Sequence, residues 1–344
     1  MKLPAEVFGR LGAAYAGRSV CVTGGAGFIG GHLVDALASL APAVKHITVI
    51  DDLSNSNLDH LGELIELDPQ RISFVHGSIL DDDAVQEAVD GAAVVFHLAA
   101  MGSVQASLVH PQRAFSVNAT GTVRVAEAAR RLGCGRVVFS SSSSVYGGTS
   151  GPTPHACTEN LPLAPLSPYA ASKAAGELVL ASWCKSFGLS GVSLRYFNVF
   201  GPRQRPDAEY AAVIPLFVRA CIDGQIPTVY GDGHQSRDFT PVANAVLANL
   251  MAGVSTNELS GQALNIGTGQ RTDVLTLLEL ISKALGQAPI TPKFVPGRSG
   301  EVRHSLADIT AARNLLGYEP IANLESAIGE AVDYYRETLN TPNS

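Results

Sequence analysis

Val20–Cys21–Val22–Thr23–Gly24–Gly25–Ala26–Gly27–Phe28–Ile29–Gly30–Gly31–His32 decides how the rest of the chain is read. An apolar, β-branched run leads into glycines at 24, 27 and 30. Phe28 and Ile29 then open an apolar helical pattern through Leu33, Leu37 and Leu40. The order is strand, tight turn, helix. Gly24 lets the chain turn sharply, Gly27 keeps a side chain away from a phosphate approaching the backbone, and Gly30 lets helix and strand pack closely. The first turn of such a helix offers unpaired N–H groups and a partial positive charge to an anion. Three glycines also occur in ordinary close-packed turns. Here, however, the next strand, His46–Asp51, ends on an acid about 20 residues beyond Gly30, from where a carboxylate accepts the hydroxyls of an adenosine ribose. Together these features predict a dinucleotide site, and the acid favours NAD over NADP.

With 344 residues the chain exceeds one small domain and suits two lobes. Hydrophobic residues make up 46% and charged residues only 16%, which is ample material for a core. A net charge of −7 without a basic run excludes a nucleic-acid footprint, but not a phosphorylated ligand served by a few local arginines. Cys21, Cys134, Cys157, Cys184 and Cys221 follow neither metal-ligand nor disulfide spacing, so they read as buried or free thiols in a reducing compartment, and no metal is expected. Residues 1–17 include Glu6 and Arg10 and lack the apolar stretch of a signal peptide, and no apolar run approaches transmembrane length. The expectation is a cytoplasmic protein with no membrane partner.

Beyond the first unit, strands alternate with helices. Strands are predicted at Ile72–His76, Ala92–His97, Arg136–Ser140 and Gly191–Phe197, and helices at Asp81–Val89, 111–132 and 167–188. That alternation predicts an α/β fold with a doubly wound parallel sheet, whose ligands sit outside the C-terminal strand ends. Gly24–Gly30, Asp51, Gly77–Ile79, His97–Ser103, Ser140–Ser144 and Asn198–Gln204 all fall there. After Gly201 the rhythm breaks, with short strands at 227–230 and 263–266 and helices at 241–253, 273–285, 308–316 and 323–338. Residues 1–200 are therefore expected to form the dinucleotide domain, with return segments near 238–268, and residues 201–344 mainly a smaller α/β lobe.

Pro168–Tyr169–Ala170–Ala171–Ser172–Lys173 opens a helix. Tyr169 and Lys173 are four apart and share one face. A phenol titrates near ~10 and is a poor base at neutrality, but a nearby ammonium and a positive nicotinamide ring favour the phenolate. Tyr169 is thus a candidate general acid/base toward a hydroxyl.

At this point the chain resembles an extended short-chain dehydrogenase/reductase of the nucleotide-sugar epimerase/dehydratase type. The resemblance rests on Thr23–Gly30, Asp51–Ser56, His97–Ala100, Asn118, Ser140–Gly147, Tyr169 with Lys173, and Arg195–Gly201, and it runs from about residue 18 onward. It implies a Rossmann domain with a small C-terminal substrate lobe, bound NAD, and a homodimer formed through a helix bundle. It places Gly24, Gly27, Phe28, Ile29, Gly30, Asp51, Asp52, Asn55, Ser56, Ser78, Ile79, Leu98, Ala99, Ala100, Asn118, Ser140, Tyr169, Lys173 and Tyr196 against the cofactor. Ser78 departs from the family's usual aspartate near the adenine amine, leaving the backbone of Ile79 as the contact there.

The reaction is read from Ser142-Ser143-Ser144-Val145-Tyr146-Gly147. Related dehydratases place Asp-Glu before the Val-Tyr-Gly, and decarboxylases a glutamate. This segment has no carboxylate, and hydroxyls relay protons without supplying that acid/base pair. Epimerisation through oxidation and re-reduction of a carbinol remains. By resemblance Ser142 bonds the 4-oxygen, with Ser143 and Ser144 facing substrate, whereas Ser140 and Ser141 read as strand-end hydroxyls. Arg237 and Arg298 match the family's two diphosphate arginines, Asn198 its amide contact, and Glu301 replaces a more usual aspartate. Arg203 and Arg205 read as solvated loop arginines. Ser305 stands where relatives that exclude acetylated sugars hold a tyrosine, leaving room for an N-acetyl group. The chain is further similar to bacterial UDP-N-acetylglucosamine 4-epimerases of the O-antigen type in Met101-Gly102-Ser103, in Phe200–Gln204, in Tyr210–Pro215 including Val213, and in Gly300–Ser305. The resemblance adds Tyr230 to the substrate side. It implies UDP-GlcNAc and UDP-GalNAc as the substrate pair, with UDP-glucose/UDP-galactose or uronic acids as further substrates. A UDP-glucuronate or UDP-N-acetylhexosaminuronate 4-epimerase, another sugar-nucleotide oxidoreductase on the same scaffold, and a non-catalytic NAD-binding scaffold are the rival readings.

Overall fold

The computed structural model describes residues 4–40, 42–148, 155–204, 212–297 and 302–340. Seven strands form its main sheet: β1 Ser19–Thr23, β2 His46–Asp51, β3 Ile72–His76, β4 Val94–His97, β5 Arg136–Ser142, β6 Gly191–Tyr196 and β7 Ser260–Ile266. Their order is β7-β6-β5-β4-β1-β2-β3, parallel throughout. The expected doubly wound parallel sheet is borne out. Alternate residues feed two apolar layers. Val20, Val22, Phe96 and Val138 join the layer containing Leu33 and Leu37, whereas Cys21, Val95, Val137 and Phe139 join the layer containing Val125 and Leu180. Period-two alternation between two buried faces is what a strand covered by helices on both sides requires.

The order reverses at β1, which has β2 on one side and β4 on the other, and ligands of such sheets bind at that crevice. Six helices matter for the site: α1 Phe28–Ser39, α2 Asp59–Leu67, α3 Asp82–Val89, α4 Gly121–Arg131, α5 Pro168–Phe187 and α6 Val242–Val254. Pro168 presets the first turn of α5, the Ser167 hydroxyl accepts the Ala170 N–H at 3.1 Å, and Gly188 at φ 72° ends the helix. After β6 the chain builds another core from Val213–Ile222, Val274–Ala284 and Leu324–Asn340 around Phe217, Phe239, Leu277 and Tyr335. In between, α6 packs on α1 and β7 pairs with β6.

The structure also holds helices that the sequence pattern does not announce, Asp59–Leu67, Val104–Val109 and Val213–Ile222 among them, and differs in two further places. The single helix expected over 111–132 is Pro111–Phe115, a π-helical turn at Ser116–Thr120, and α4. The wide turn accompanies Asn118, whose side chain is drawn to the Met101 backbone and to Ser172. Ala5–Tyr15, which the reading left unassigned, is a helix anchored by Leu11 and Tyr15. The Tyr15 hydroxyl donates to the Leu250 carbonyl at 2.8 Å, and Gly253 leaves it room.

Candidate active site

A cleft of about 1560 Å³ runs along the C-terminal strand ends. Ligand pockets commonly enclose ~300–1,000 Å³, so there is space for two nucleotide-sized ligands. Gly24, at φ 72°, approaches β4 so closely that a Cβ would lie 2.6 Å from the Ala99 nitrogen. A Cβ on Gly30 would lie 2.1 Å from the Gly24 carbonyl oxygen. Neither backbone contact can yield, so both positions demand glycine. Gly27 caps α1 without a side chain, leaving the N–H groups of the first turn to an external acceptor. This cradle fits a dinucleotide pyrophosphate.

Asp51 closes β2 at one end of the cleft. Its carboxylate accepts the Ala26 N–H at 3.1 Å, the Leu53 N–H at 2.9 Å and the Ser56 hydroxyl at 2.9 Å. Asp52, Asn55, Ser78 and Ile79 line the same end. The Ser78 oxygen accepts the Leu80 N–H at 3.3 Å. Phe28, Ile29, Leu98, Ala99, Ala100, Ser140 and Tyr196 also line the cleft. The Tyr196 hydroxyl meets Ser140 at 3.0 Å and accepts from Asn249 at 2.7 Å.

Tyr169 and Lys173 project from the first turns of α5 into the cleft. Ser107 accepts the Tyr169 N–H at 3.0 Å, and Ser172 donates to the Tyr169 carbonyl at 2.8 Å, which fixes this turn. Burial raises the Tyr169 phenol above its ordinary value, and hydrogen bonding with Ser142 draws it back. Lys173 is buried, and burial pushes its ammonium down to about 7 against the opposing pull of Glu177. Its Nζ donates to the Ser140 carbonyl at 2.7 Å and lies 4.9 Å over the Phe139 ring. Lys173 is therefore oriented by the Ser140 carbonyl and the Phe139 ring, one turn along α5 from Tyr169.

Beneath the serine segment lies a buried ion pair. Glu177 accepts from Arg195 Nε at 2.9 Å and Nη2 at 2.7 Å, and from the Ser141 hydroxyl. Arg195 Nη1 donates to the Tyr146 hydroxyl at 2.8 Å, which donates to Asn265 at 2.6 Å. Another buried chain has its protons ordered by its ends. Thr122 donates to the Asn118 carbonyl at 2.6 Å, so it accepts from His97 Nε2–H at 3.0 Å. His97 Nδ1 then accepts from Thr23 at 2.8 Å, leaving the Thr23 oxygen to accept the Ala99 N–H at 3.1 Å. Burial, then Lys173, lower this imidazole to about 3, so it is neutral.

Of the residues expected on the substrate side, Gly102, Ser103, Ser142, Ser143, Asn198, Gln204, Arg237 and Ser305 line the cleft. The Gln204 Oε1 and Ser144 Oγ atoms are buried without hydrogen-bond partners among the described residues. Ser305 is held beside Arg237, its N–H donating to Ser236 at 3.1 Å and its carbonyl accepting from Asp238 at 2.8 Å. Three expected residues are not among the lining residues: Asn118, turned toward Met101 and Ser172; Val213, whose neighbour Ala212 lines the cleft instead; and Tyr230, on the strand Thr228–Tyr230. Arg298 and Glu301 lie outside the described residues. Arg203, which its polar sequence context marks as a solvated loop arginine, is instead largely buried, lines the cleft and pairs with Asp35 at 2.6 Å. Only contact across the fold reveals this.

A helix N-terminus that offers itself to dinucleotide phosphates, next to an ionisable phenol, defines a nucleotide-dependent enzyme acting at a carbinol. Residues 20–267 match the NAD dependent epimerase/dehydratase family, and the chain belongs to it. NAD is the cofactor. The chain is 39% identical over 317 residues to a UDP-glucose 4-epimerase of Mycolicibacterium smegmatis, covering 92% of this chain and 97% of that one. It resembles the structure of a UDP-N-acetylglucosamine 4-epimerase from Methanobrevibacter ruminantium in complex with UDP-N-acetylmuramic acid, with TM-score 0.85, 36% identity and coverage of 94% and 99%. It also resembles the UDP-glucuronic acid 4-epimerase of Bacillus cereus in complex with UDP-glucuronic acid and NAD, with TM-score 0.84, 31% identity and coverage of 93% and 99%. Among the described residues no helix is long and apolar enough to cross a membrane, and no group of side chains could hold a metal.

Proposed function

We propose that the protein is a UDP-sugar 4-epimerase interconverting UDP-GlcNAc and UDP-GalNAc. One observation carries the reaction class. Among the described lining residues the only carboxylates are Asp51, Asp52 and Asp59, all at or after the end of β2, and the described part of the serine segment and of the opposite end of the cleft contributes none. Removing water from C5–C6 needs an added acid and base. Epimerisation at C4 needs only one proton acceptor and a hydride relay, which bound NAD supplies in both directions. Tyr169 takes the 4-hydroxyl proton, Ser142 holds the 4-oxygen, and Lys173, anchored on the Ser140 carbonyl, supplies a cation one helical turn away. The 4-keto sugar turns over within the roomy cleft, and Tyr169 returns the proton.

The orphaned oxygens of Gln204 and Ser144 suit sugar hydroxyl or amide donors. Arg237 supplies a charge that does not titrate for the diphosphate. Ser305, small and 8% exposed, leaves room for a 2-N-acetyl group. Residues 1–200 with the return near 238–268 serve as the NAD-binding part, and most of 201–344 as the substrate lobe. Leu108, Val109, Phe115, Leu178 and Phe187 stand exposed on mutually packed helices and suit a homodimer face. The likeness to the Bacillus cereus enzyme supports a second reading, epimerisation of a UDP-uronic acid.

The test incubates purified protein, without added NAD, with UDP-GlcNAc, UDP-GalNAc, UDP-glucose and UDP-glucuronate, and resolves the products by chromatography. Ser305→Tyr places a ring in the acetyl volume. Overpacking costs ~1–3 kcal/mol, or roughly 5- to 150-fold in kcat/KM, falling on acetylated substrates alone. A uniform loss, or an unchanged ratio in folded protein, refutes the assignment of Ser305.

A further inference from the structure

Arg203 lies on the stretch Gly201–Gln204, which leads from β6 to the second core. The stretch is pinned from both sides: His32 Nε2–H on α1 donates to the Pro202 carbonyl at 3.0 Å, and the Tyr335 hydroxyl donates to the Gln204 carbonyl at 2.6 Å. Arg203 itself sits at φ 66°, in a region that side chains with a Cβ rarely adopt. Its guanidinium reaches back across the cleft to α1. Nη2 donates to Asp35, whose other oxygen pairs with His60 at 2.5 Å. Nη1 lies 3.6 Å from where a Cβ on Gly31 would stand, and it is buried with no hydrogen-bond partner among the described residues.

The direction of this fork carries the argument. Gly31 and Asp35 are four residues apart, so they share a face of α1. With Nη2 at Asp35 and Nη1 at Gly31, the unpartnered nitrogen is the one nearer the helix N-terminus. A Cβ leans toward the N-terminal end of its helix, so the space beside Gly31 overlies the turn that opens at Gly27 and Phe28. Those residues form the phosphate cradle. A buried cationic N–H without an acceptor is costly, and an anion beside it removes the cost.

We propose that Arg203 donates through Nη1 to the pyrophosphate of the bound dinucleotide, while Asp35 holds the other arm of the fork. The arginine belongs to the stretch entering the second core, so the contact ties that stretch to the cofactor. It does not depend on which sugar is turned over.

The test measures equilibrium binding of NAD, ADP and adenosine to cofactor-stripped protein. Charge-assisted hydrogen bonds of this kind correspond to about 10- to 100-fold in affinity. Arg203→Gln and Arg203→Met should weaken NAD and ADP, which carry the pyrophosphate, by that factor, and leave adenosine unchanged. Asp35→Asn removes the anchor but keeps the cation, so it should weaken ADP less than either arginine variant. Unchanged ADP affinity in the arginine variants overturns the proposal. So does an equal loss for adenosine, or an Asp35→Asn effect as large as that of Arg203→Gln, because each marks a purely structural ion pair. If neither arginine variant folds, Asp35→Asn together with Arg203→Lys decides. The lysine keeps the charge without the fork, and ADP weakened relative to adenosine supports the contact, whereas equal behaviour refutes it.

Discussion

Replacing His97 by asparagine should change how stability depends on acid. The imidazole accepts a proton near ~6.5 in an unfolded chain. In the folded protein burial, and secondarily Lys173, lower that value to about 3. Both ring nitrogens are engaged, Nε2–H with Thr122 and Nδ1 with Thr23, so a second proton would displace the Thr23 donor. Between these two values the unfolded chain binds more protons than the folded one, so His97 costs stability as pH falls. From pH 7 to pH 4.5 that cost is about 2.5 kcal/mol, against a total stability of ~5–15 kcal/mol for a typical protein. Glu159 and Asp238, raised by burial, act with the opposite sign in the same window, so the informative quantity is a difference between proteins. At pH 7 the asparagine variant should be less stable by ~1–3 kcal/mol, because it cannot serve both threonines. At pH 4.5 that gap should have shrunk by about 2.5 kcal/mol. Denaturant titrations at both pH values measure it. A gap that stays constant between them refutes the neutral, doubly bonded imidazole.

Tyr169→Phe keeps the ring and removes the ionisable oxygen; turnover should fall by ~10²–10⁴-fold with NAD still bound, and near-normal turnover would exclude Tyr169 as the acid/base. Glu177→Gln leaves the Arg195 guanidinium buried without a counter-charge, and denaturant titration should show a loss of ~3–5 kcal/mol. A change under ~1 kcal/mol, the value of an exposed pair, would mean that water reaches the pair.

Much of the lining of the candidate site was legible along the chain, because its signals are local. Glycines three apart after a β-branched strand report a turn and a helix start within a few residues. The four-residue spacing of Tyr169 and Lys173 places both on one helix face before any tertiary contact forms. The serine segment reveals its missing carboxylates by inspection. The parallel sheet follows from alternation alone, since parallel strands need helical crossovers.

What escaped the sequence depends on partners distant along the chain. Asn118 reads as a cofactor contact, yet the π-helical turn directs its amide to Met101 and Ser172. The tautomer of His97 is set by Thr23 and Thr122, which reach it only because β4 lies beside β1 and packs under α4. Arg203 is indistinguishable from Arg205 in a polar stretch of sequence; its burial, its ion pair with Asp35 and a nitrogen without a partner among the described residues exist only once the stretch after β6 folds back on α1. Local spacing determines which face a side chain occupies. Which group waits opposite that face is decided by the crossovers of the sheet, because a buried donor or charge takes its partner from whatever the topology delivers.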